Sequence, residues 1–275
     1  MIRAETIILE AGRANQNYWR DVFRYRELFF MLARRDVAVR YKQTAIGVLW
    51  AVLRPLLTMM VFTLVFGRIA KLPSYGVPYA LLVFSAMVPW YFFSSSVSES
   101  SGSLISNSNL LSKVYFPRIL VPSSSVLVAA VDFLIAMALL LLTMLYYGVW
   151  PSWRLLTLPL FLAVAFCSSL GIGLWLSALN VRYRDFQFVV PFILQFGLYL
   201  SPVGFSSSVI PPQWTLVYAL NPMVGVIDGF RWAILGGDFS LKWDVQVISV
   251  MVGFTFLRTG IAFFRRFERG MADVI

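Results

Sequence analysis

The sequence predicts an all-α integral membrane protein with six transmembrane helices, and three observations carry that prediction. Of 275 residues, 59% are hydrophobic and 13% charged, against about 45–50% and about 25% in soluble domains. A soluble core of this length has nowhere to bury so much apolar surface, so the solvent must be lipid. Six apolar stretches, 46–66, 79–98, 119–146, 155–179, 188–205 and 245–264, come near or exceed the ~20 residues that cross a hydrocarbon core. Runs of this length satisfy their backbone only as helices. The net charge of +10 sits between these runs, mostly on alternate sides of them. A bilayer selects that pattern, and a nucleic-acid partner does not require it.

The elements follow in order. Residues 1–45 form a polar, basic segment, too long for the n-region of a signal peptide and followed by no short apolar core with a cleavage site, so it is expected to stay on the mature protein. Within it Val22, Tyr25, Phe29, Leu32 and Ala33 fall on one helical face and Arg24, Glu27, Arg34 and Arg35 on the other. This predicts an N-terminal amphipathic interface helix; a solvated helix packed on the chain's own loops is the alternative. Residues 46–265 are the transmembrane domain and 266–275 a cytoplasmic tail. The fifth run is the shortest and holds Gln195, Gly197 and Pro202, so its end is expected to break.

Orientation comes from Lys and Arg. With the N-terminus inside, eighteen of the 23 basic residues face the cytoplasm, and only Arg68, Lys71, Arg154, Arg231 and Lys242 fall outside. Both termini and the loops 99–118 and 180–187 are therefore cytoplasmic. The outer connection 206–244 is long. Ile210-Pro211-Pro212, Asn221-Pro222, Gly225, Gly229 and Gly236-Gly237 separate apolar pieces too short to span, which predicts external re-entrant half-helices. No soluble domain, low-complexity tract or internal repeat is evident.

The chemical inventory excludes several classes. With no His and a single Cys, Cys167, there is no His-based catalytic centre, Cys/His zinc site or intrachain disulfide. No Gly-x-x-x-x-Gly-Lys-Ser/Thr phosphate cradle is present, so ATP is not bound here in that manner. No close carboxylate pair lies within the apolar runs. Asp132 is the one acid well inside a span, either a functional group or a hydrogen-bonded structural one. Arg54, beside Pro55, either snorkels to the headgroups or faces a pathway for an anionic headgroup. Arg258 is more simply an anchor.

Pro89-Trp90-Tyr91-Phe92-Phe93 lies in mid-span. Such an aromatic face, with Phe196 and Tyr199 from the fifth run, offers either a sliding surface for sugar rings or ordinary helix packing. The loop 99–118 is rich in Ser and Asn. It carries Leu104, Ile105, Leu110, Leu111 and Val114 on a short helix expected over 103–113 and stopped at Phe116-Pro117. Apolar residues on such a loop need a cover, either a partner protein or the membrane interface.

Several strings together resemble one family. Arg34-Arg35-Asp36, Arg40-Tyr41-Lys42-Gln43-Thr44, Gly47, Trp50 and Pro55 come first. Pro89-Trp90, Asn107-Ser108-Asn109-Leu110-Leu111 and Lys113-Val114-Tyr115-Phe116-Pro117-Arg118 follow. Asn180-Val181-Arg182-Tyr183-Arg184-Asp185, Ser201-Pro202-Val203, Asn221-Pro222-Met223 and Phe230-Arg231-Trp232 complete the set. In this order they are similar to the permease subunits of polysaccharide ABC exporters, which serve lipopolysaccharide O-antigen and teichoic acid. The resemblance implies a six-span permease in the bacterial inner membrane that pairs as a homodimer with two copies of a separate ATPase. ATP and Mg are used by that partner subunit, and this chain binds no cofactor.

The implied cargo is an undecaprenyl-pyrophosphate-linked glycan moved outward. By match, the cytoplasmic coupling helices are 103–113 and 182–185, with Leu104, Ile105, Leu110, Leu111, Lys113, Arg182, Tyr183, Arg184 and Asp185 as ATPase contacts. Arg34, Arg35, Arg40, Lys42 and Arg54 are the candidates to grip the lipid headgroup. A membrane transferase acting on lipid-linked sugars is the first competing class, but it wants His or clustered acids at a membrane face. A secondary carrier is the second, and it wants paired intramembrane charges.

Overall fold

The computed structural model describes residues 18–42, 47–237 and 239–270. Among the described residues the regular structure is entirely helical: α1 (Tyr18–Arg24), α2 (Arg26–Lys42), α3 (Gly47–Phe62), α4 (Tyr79–Ser106), α5 (Ser108–Leu111), α6 (Leu120–Tyr146), α7 (Leu158–Arg182), α8 (Phe186–Leu200), α9 (Thr215–Tyr218), α10 (Pro222–Leu235) and α11 (Trp243–Glu268). Five helical segments are long and apolar enough to cross a membrane, namely Leu49–Ile69, Tyr79–Ser106, Leu120–Tyr146, Trp153–Arg182 and Trp243–Glu268. The first carries Pro55 within α3 and ends in a π-helical stretch, Thr63–Ile69. The apolar α8 has only 15 residues, about 22 Å of rise, which is less than the ~30 Å hydrocarbon core.

α4 is the central helix. In its most apolar window 83% of residues are buried, against 11% in the first span, so α4 forms the core and α3 the rim. Around α4 the side chains of α6, α7 and α10 close one large apolar cluster that includes Phe84, Met87, Phe133, Phe161, Ile227 and Phe230. Lipid provides no hydrophobic drive between helices, so close approach depends on small residues. At the α7–α11 crossing a Cβ on Gly171 or on Gly260 would fall 2.3 Å from backbone atoms of the opposite helix. No larger residue fits there.

The fifth apolar run breaks as its Pro202 suggested. α8 stops at Leu200, and Ser201, Pro202, Val203 and Gly204 continue as buried non-helical chain. Irregular backbone at this depth survives only if its polar groups find partners in the protein. Here Arg231 donates from Nη2 to the Val203 carbonyl at 3.1 Å, from Nη1 to that of Phe205 at 2.8 Å, and from Nε to that of Leu82 at 3.2 Å. Tyr79 Oη donates to the Gly204 carbonyl, and Asn221 Nδ2 to Ser201 Oγ at 2.9 Å. Arg231, counted above among outer loop charges, is thus a buried clamp at 1% exposure. Among the described residues the connection 206–244 supplies two short α-helices, α9 and the 14-residue α10; α10 is capped by Asn221 and packed into the core.

At the opposite end a second cluster joins Leu32 of α2 to Leu104, Leu111, Phe116, Ile119, Leu174 and Phe264. The polar-apolar division expected for the N-terminal helix is present, with Leu32 and Ala33 buried and Arg24, Glu27, Arg34 and Arg35 exposed. The buried face lies on the chain's own helices, however. Arg35 reaches Asn107 at 2.6 Å and Arg40 reaches Glu99 at 3.3 Å. α2 therefore packs along α6 and reaches the end of α4 through these long side chains.

The helix expected over 103–113 is divided. α4 runs on through Ser106, and Asn107, whose Nδ2 donates back to the Ser103 carbonyl at 2.8 Å, separates it from α5.

Candidate functional site

A cavity of about 540 Å³ opens between α3, α4, α6 and α8. α3 contributes Trp50 and Arg54; α4 contributes Trp90, Tyr91, Ser94, Ser95, Ser98 and Glu99; α6 contributes Asp132; α8 contributes Gln195. The end of α2 closes it with Arg40 and Tyr41. A polar groove of about 630 Å³ adjoins it, sharing Arg40, Ser98 and Glu99 and continuing past Arg35, Gly102 and Asn107.

The charges are ordered. Arg40 Nη2 lies 2.9 Å from Asp132 Oδ2 and Arg40 Nη1 lies 3.3 Å from Glu99 Oε1. Tyr41 Oη donates to the other oxygen of Asp132. Burial and that carboxylate raise the Tyr41 phenol above its usual pKa, which keeps it a donor. Asp132, the lone acid predicted within a span, is therefore the hydrogen-bonded anchor for the end of α2. Arg54 forms no ion pair among the described residues, and its guanidinium stands 6.0 Å from the centre of the Tyr91 ring. Arg35 is held by Asp36 at 2.7 Å and by Asn107, and Arg34 is exposed. The side chain of Lys42, and Gln43 and Thr44 of the same motif, lie outside the described residues.

The mid-span aromatics separate into two groups. Trp90, Phe92 and Phe93 are buried at 4%, 3% and 8% exposure. Phe92 meets Phe133 edge-on at 5.8 Å, and Trp90 meets Phe93 at 5.5 Å. Most of this cluster is helix packing, and Tyr91 is the member turned under Arg54. Phe196 and Tyr199 are exposed on α8, and Tyr199 stacks on Phe62 of α3 at 6.5 Å. Beyond Trp90 lies a second cavity of about 600 Å³, nearly all apolar, with Ser201, Tyr218 and Asn221 among its polar lining. Trp90 and Leu194 line both cavities.

Of the residues expected at a partner contact, Leu104 and Leu111 are buried in the second cluster, which also holds Leu32 of α2, and offer no outward surface. The chain itself covers them. Ile105, Lys113, Val114 and Tyr115 are exposed and Leu110 partly so. Arg182, Tyr183, Arg184 and Asp185 are all exposed, with the Arg182 guanidinium 5.4 Å from the centre of the Tyr183 ring. Asn180 donates to the Ser101 carbonyl at 3.0 Å, so the two segments leave the bundle at the same end.

Sequence reasoning did not single out Glu99 or the hydroxyls of Ser94, Ser95 and Ser98, and it read Gln195 only as an interruption of the fifth run. The signal was the dense serine run 94–103 on a helix otherwise apolar.

This arrangement can hold an anion beside an aromatic face and hydroxyl acceptors. Comparison with known proteins gives it a setting. Residues 27–235, from the second residue of α2 to the last of α10, match the family described as ABC-2 type transporter. The O-antigen export system permease protein RfbA of Myxococcus xanthus is 30% identical over 214 residues, covering 77% of this chain and 82% of that protein. RfbA of Klebsiella pneumoniae is 27% identical over 252 residues, covering 90% and 95%. The polysialic acid transport protein KpsM of Escherichia coli is 26% identical over 244 residues, covering 86% and 92%. The chain belongs to the ABC-2 type transporter family and is a multi-pass membrane permease subunit, not an enzyme.

Proposed function

We propose that this chain is the permease of an ATP-driven exporter that carries a lipid-linked polysaccharide from the cytoplasmic to the outer face of a bacterial inner membrane. The cargo class is an undecaprenyl-pyrophosphate-linked glycan, O-antigen first and a teichoic-acid-like polymer second. The relatives named for O-antigen export support this, since nine-tenths of this chain aligns with one of them. The observation that carries it is the cavity between α3 and α8, where Arg54, with no ion pair among the described residues, lies over Tyr91 beside three serine hydroxyls and Gln195. Phosphate oxygens suit guanidinium groups, and sugars suit hydroxyl and aromatic surface.

The rest of the reading follows from it. α8 serves as the sixth crossing despite its length, with 201–205 completing the depth. α9 and α10 are the external half-helices, and α2 is the interface helix. The end of the bundle bearing Arg34, Arg35, Arg182, Arg184, Arg265 and Arg266 faces the cytoplasm. There α5 with its flanks and the segment 182–185 meet two copies of an ATP-binding subunit, which uses ATP and Mg. A second copy of this chain faces α3 and α8, whose outward Trp50, Leu57, Phe192 and Phe196 are exposed.

The test reconstitutes the chain with its ATP-binding subunit and measures ATPase stimulation by lipid-linked glycan. Arg54→Gln should raise the half-stimulating concentration at least fivefold, while Arg34→Gln changes it less than twofold. Equal responses would remove the cavity from the pathway.

A further inference from the structure

We propose that Asp132 and Glu99 are resident counter-anions that hold Arg40 until an anionic headgroup replaces them, so that the two carboxylates set how much charge a ligand needs to occupy the cavity. This rests on the reading that the cavity accepts a phosphate-bearing lipid. The two arginines facing the space are in opposite states. Arg54 has no ion pair among the described residues, and Arg40 is bound on both sides, by Asp132 from α6 and by Glu99 from α4. A ligand drawn by Arg54 can gain its second guanidinium only by exchange.

The pairs are built for exchange. The side chains of Arg40, Glu99 and Asp132 are 35%, 49% and 24% exposed. A carboxylate in that setting can rehydrate when it loses its partner, whereas one in a dry core could not. A pyrophosphate offers more charge and more oxygens than a carboxylate, and a neutral ligand offers neither. The exchange also moves something. Arg40 and Tyr41 form the last turn of α2, and Asp132 holds both. An anion that draws Arg40 away therefore removes one of the two links between the end of α2 and Asp132, leaving that of Tyr41, and α2 is the helix whose Leu32 shares an apolar cluster with Leu104 and Leu111. Occupancy is reported to the cytoplasmic end by the loss of an internal contact.

The experiment uses the chain in complex with its ATP-binding subunit in phosphatidylethanolamine nanodiscs. Long-chain polyprenyl pyrophosphate is titrated in one arm and inorganic pyrophosphate in the other. Binding is followed by tryptophan fluorescence, since Trp50 and Trp90 line the cavity, and melting temperature is recorded in parallel. Asp132→Asn should tighten the apparent Kd for the prenyl pyrophosphate threefold or more, and Glu99→Gln should act in the same direction. Adding Arg40→Gln to either should erase the gain.

An unchanged or weaker Kd in both variants, with only a lowered melting temperature, makes the carboxylates a simple staple and overturns the proposal. If Asp132→Asn does not fold, Glu99→Gln at the cavity mouth decides alone. An equal gain with inorganic pyrophosphate keeps the exchange and assigns the anion to a free species. Wild-type protein that does not bind either anion saturably, or binding indifferent to Arg54→Gln, overturns the underlying cavity reading instead.

Discussion

Tyr18 donates a hydrogen bond of 2.8 Å to Glu268 across 250 residues of sequence, and the other oxygen of that carboxylate accepts the backbone N–H of Arg118 at 2.7 Å. The Arg265 guanidinium covers the Tyr18 ring at 4.6 Å. Burial and the neighbouring carboxylate raise the Tyr18 phenol above its usual pKa, so it stays the donor at any physiological pH. One acid thus ties together the N-terminal helix, the start of the third span and the end of the last. Glu268→Ala leaves two donors without an acceptor, a loss of about 1–3 kcal/mol each where they stay dry. Its melting temperature in detergent should drop by several degrees, and that of Glu268→Gln, which keeps an acceptor, by less. Equal melting temperatures for both variants and the parent would mean that the clasp contributes nothing.

Arg231 is the most consequential single side chain in the outer half. Truncation to Met strips three backbone carbonyls of their donor at once. Removing one member of a buried charged network costs about 3–5 kcal/mol, a large part of the whole stability of a domain. Arg231→Met should insert poorly and run as aggregate in size exclusion, and Arg231→Lys, with fewer and differently spaced donors, should fall between. A monodisperse Met variant of normal yield contradicts this account.

Gly197 lies under the edge of Trp90, where an added Cβ would sit 2.9 Å from Cη2 of the indole. Gly197→Ala should displace the ring, which lines both cavities, and change tryptophan emission. Trp90→Phe in the same chain should recover most of any lost thermal stability, because the shorter ring vacates the contact. A pair whose effects simply add would show that the two residues do not meet.

Orientation has its own check. Gln213 is exposed in the outer connection and Ser112 in the segment after α5. In a Cys167→Ala background, Gln213→Cys should react with an impermeant maleimide added to spheroplasts, and Ser112→Cys only after lysis. The reverse pattern inverts the topology.

The spans were legible because length and apolarity are properties of a continuous stretch, and five of the six predicted runs are helices of spanning length. The break near Pro202 was legible for the same local reason. The pairing of charges was not. Arg40 and Glu99 are 59 residues apart, and Tyr41 and Asp132 are 91 apart, so Arg40 stood as a headgroup candidate, Asp132 as a lone acid, and Glu99 drew no reading at all. Arg231 misled in a related way: a positive charge in a loop counts toward topology whether it faces water or is buried among carbonyls. Leu104 and Leu111 were recognised as needing a cover, but periodicity cannot tell a partner's surface from the chain's own α2.

The clamp at Val203 and Phe205 has a mechanical consequence. The outer end of α8 is moored to α4 and α10 through Arg231, Tyr79 and Asn221, and Tyr75 Oη adds a 2.6 Å link to Ser208 Oγ. Its inner end, by contrast, starts at the exposed turn 182–185. α8 is thus fixed at one end and free of such links at the other. Under the proposed orientation, a push delivered at that turn should tilt α8 about its moored end and widen the gap to α3 at the inner side first.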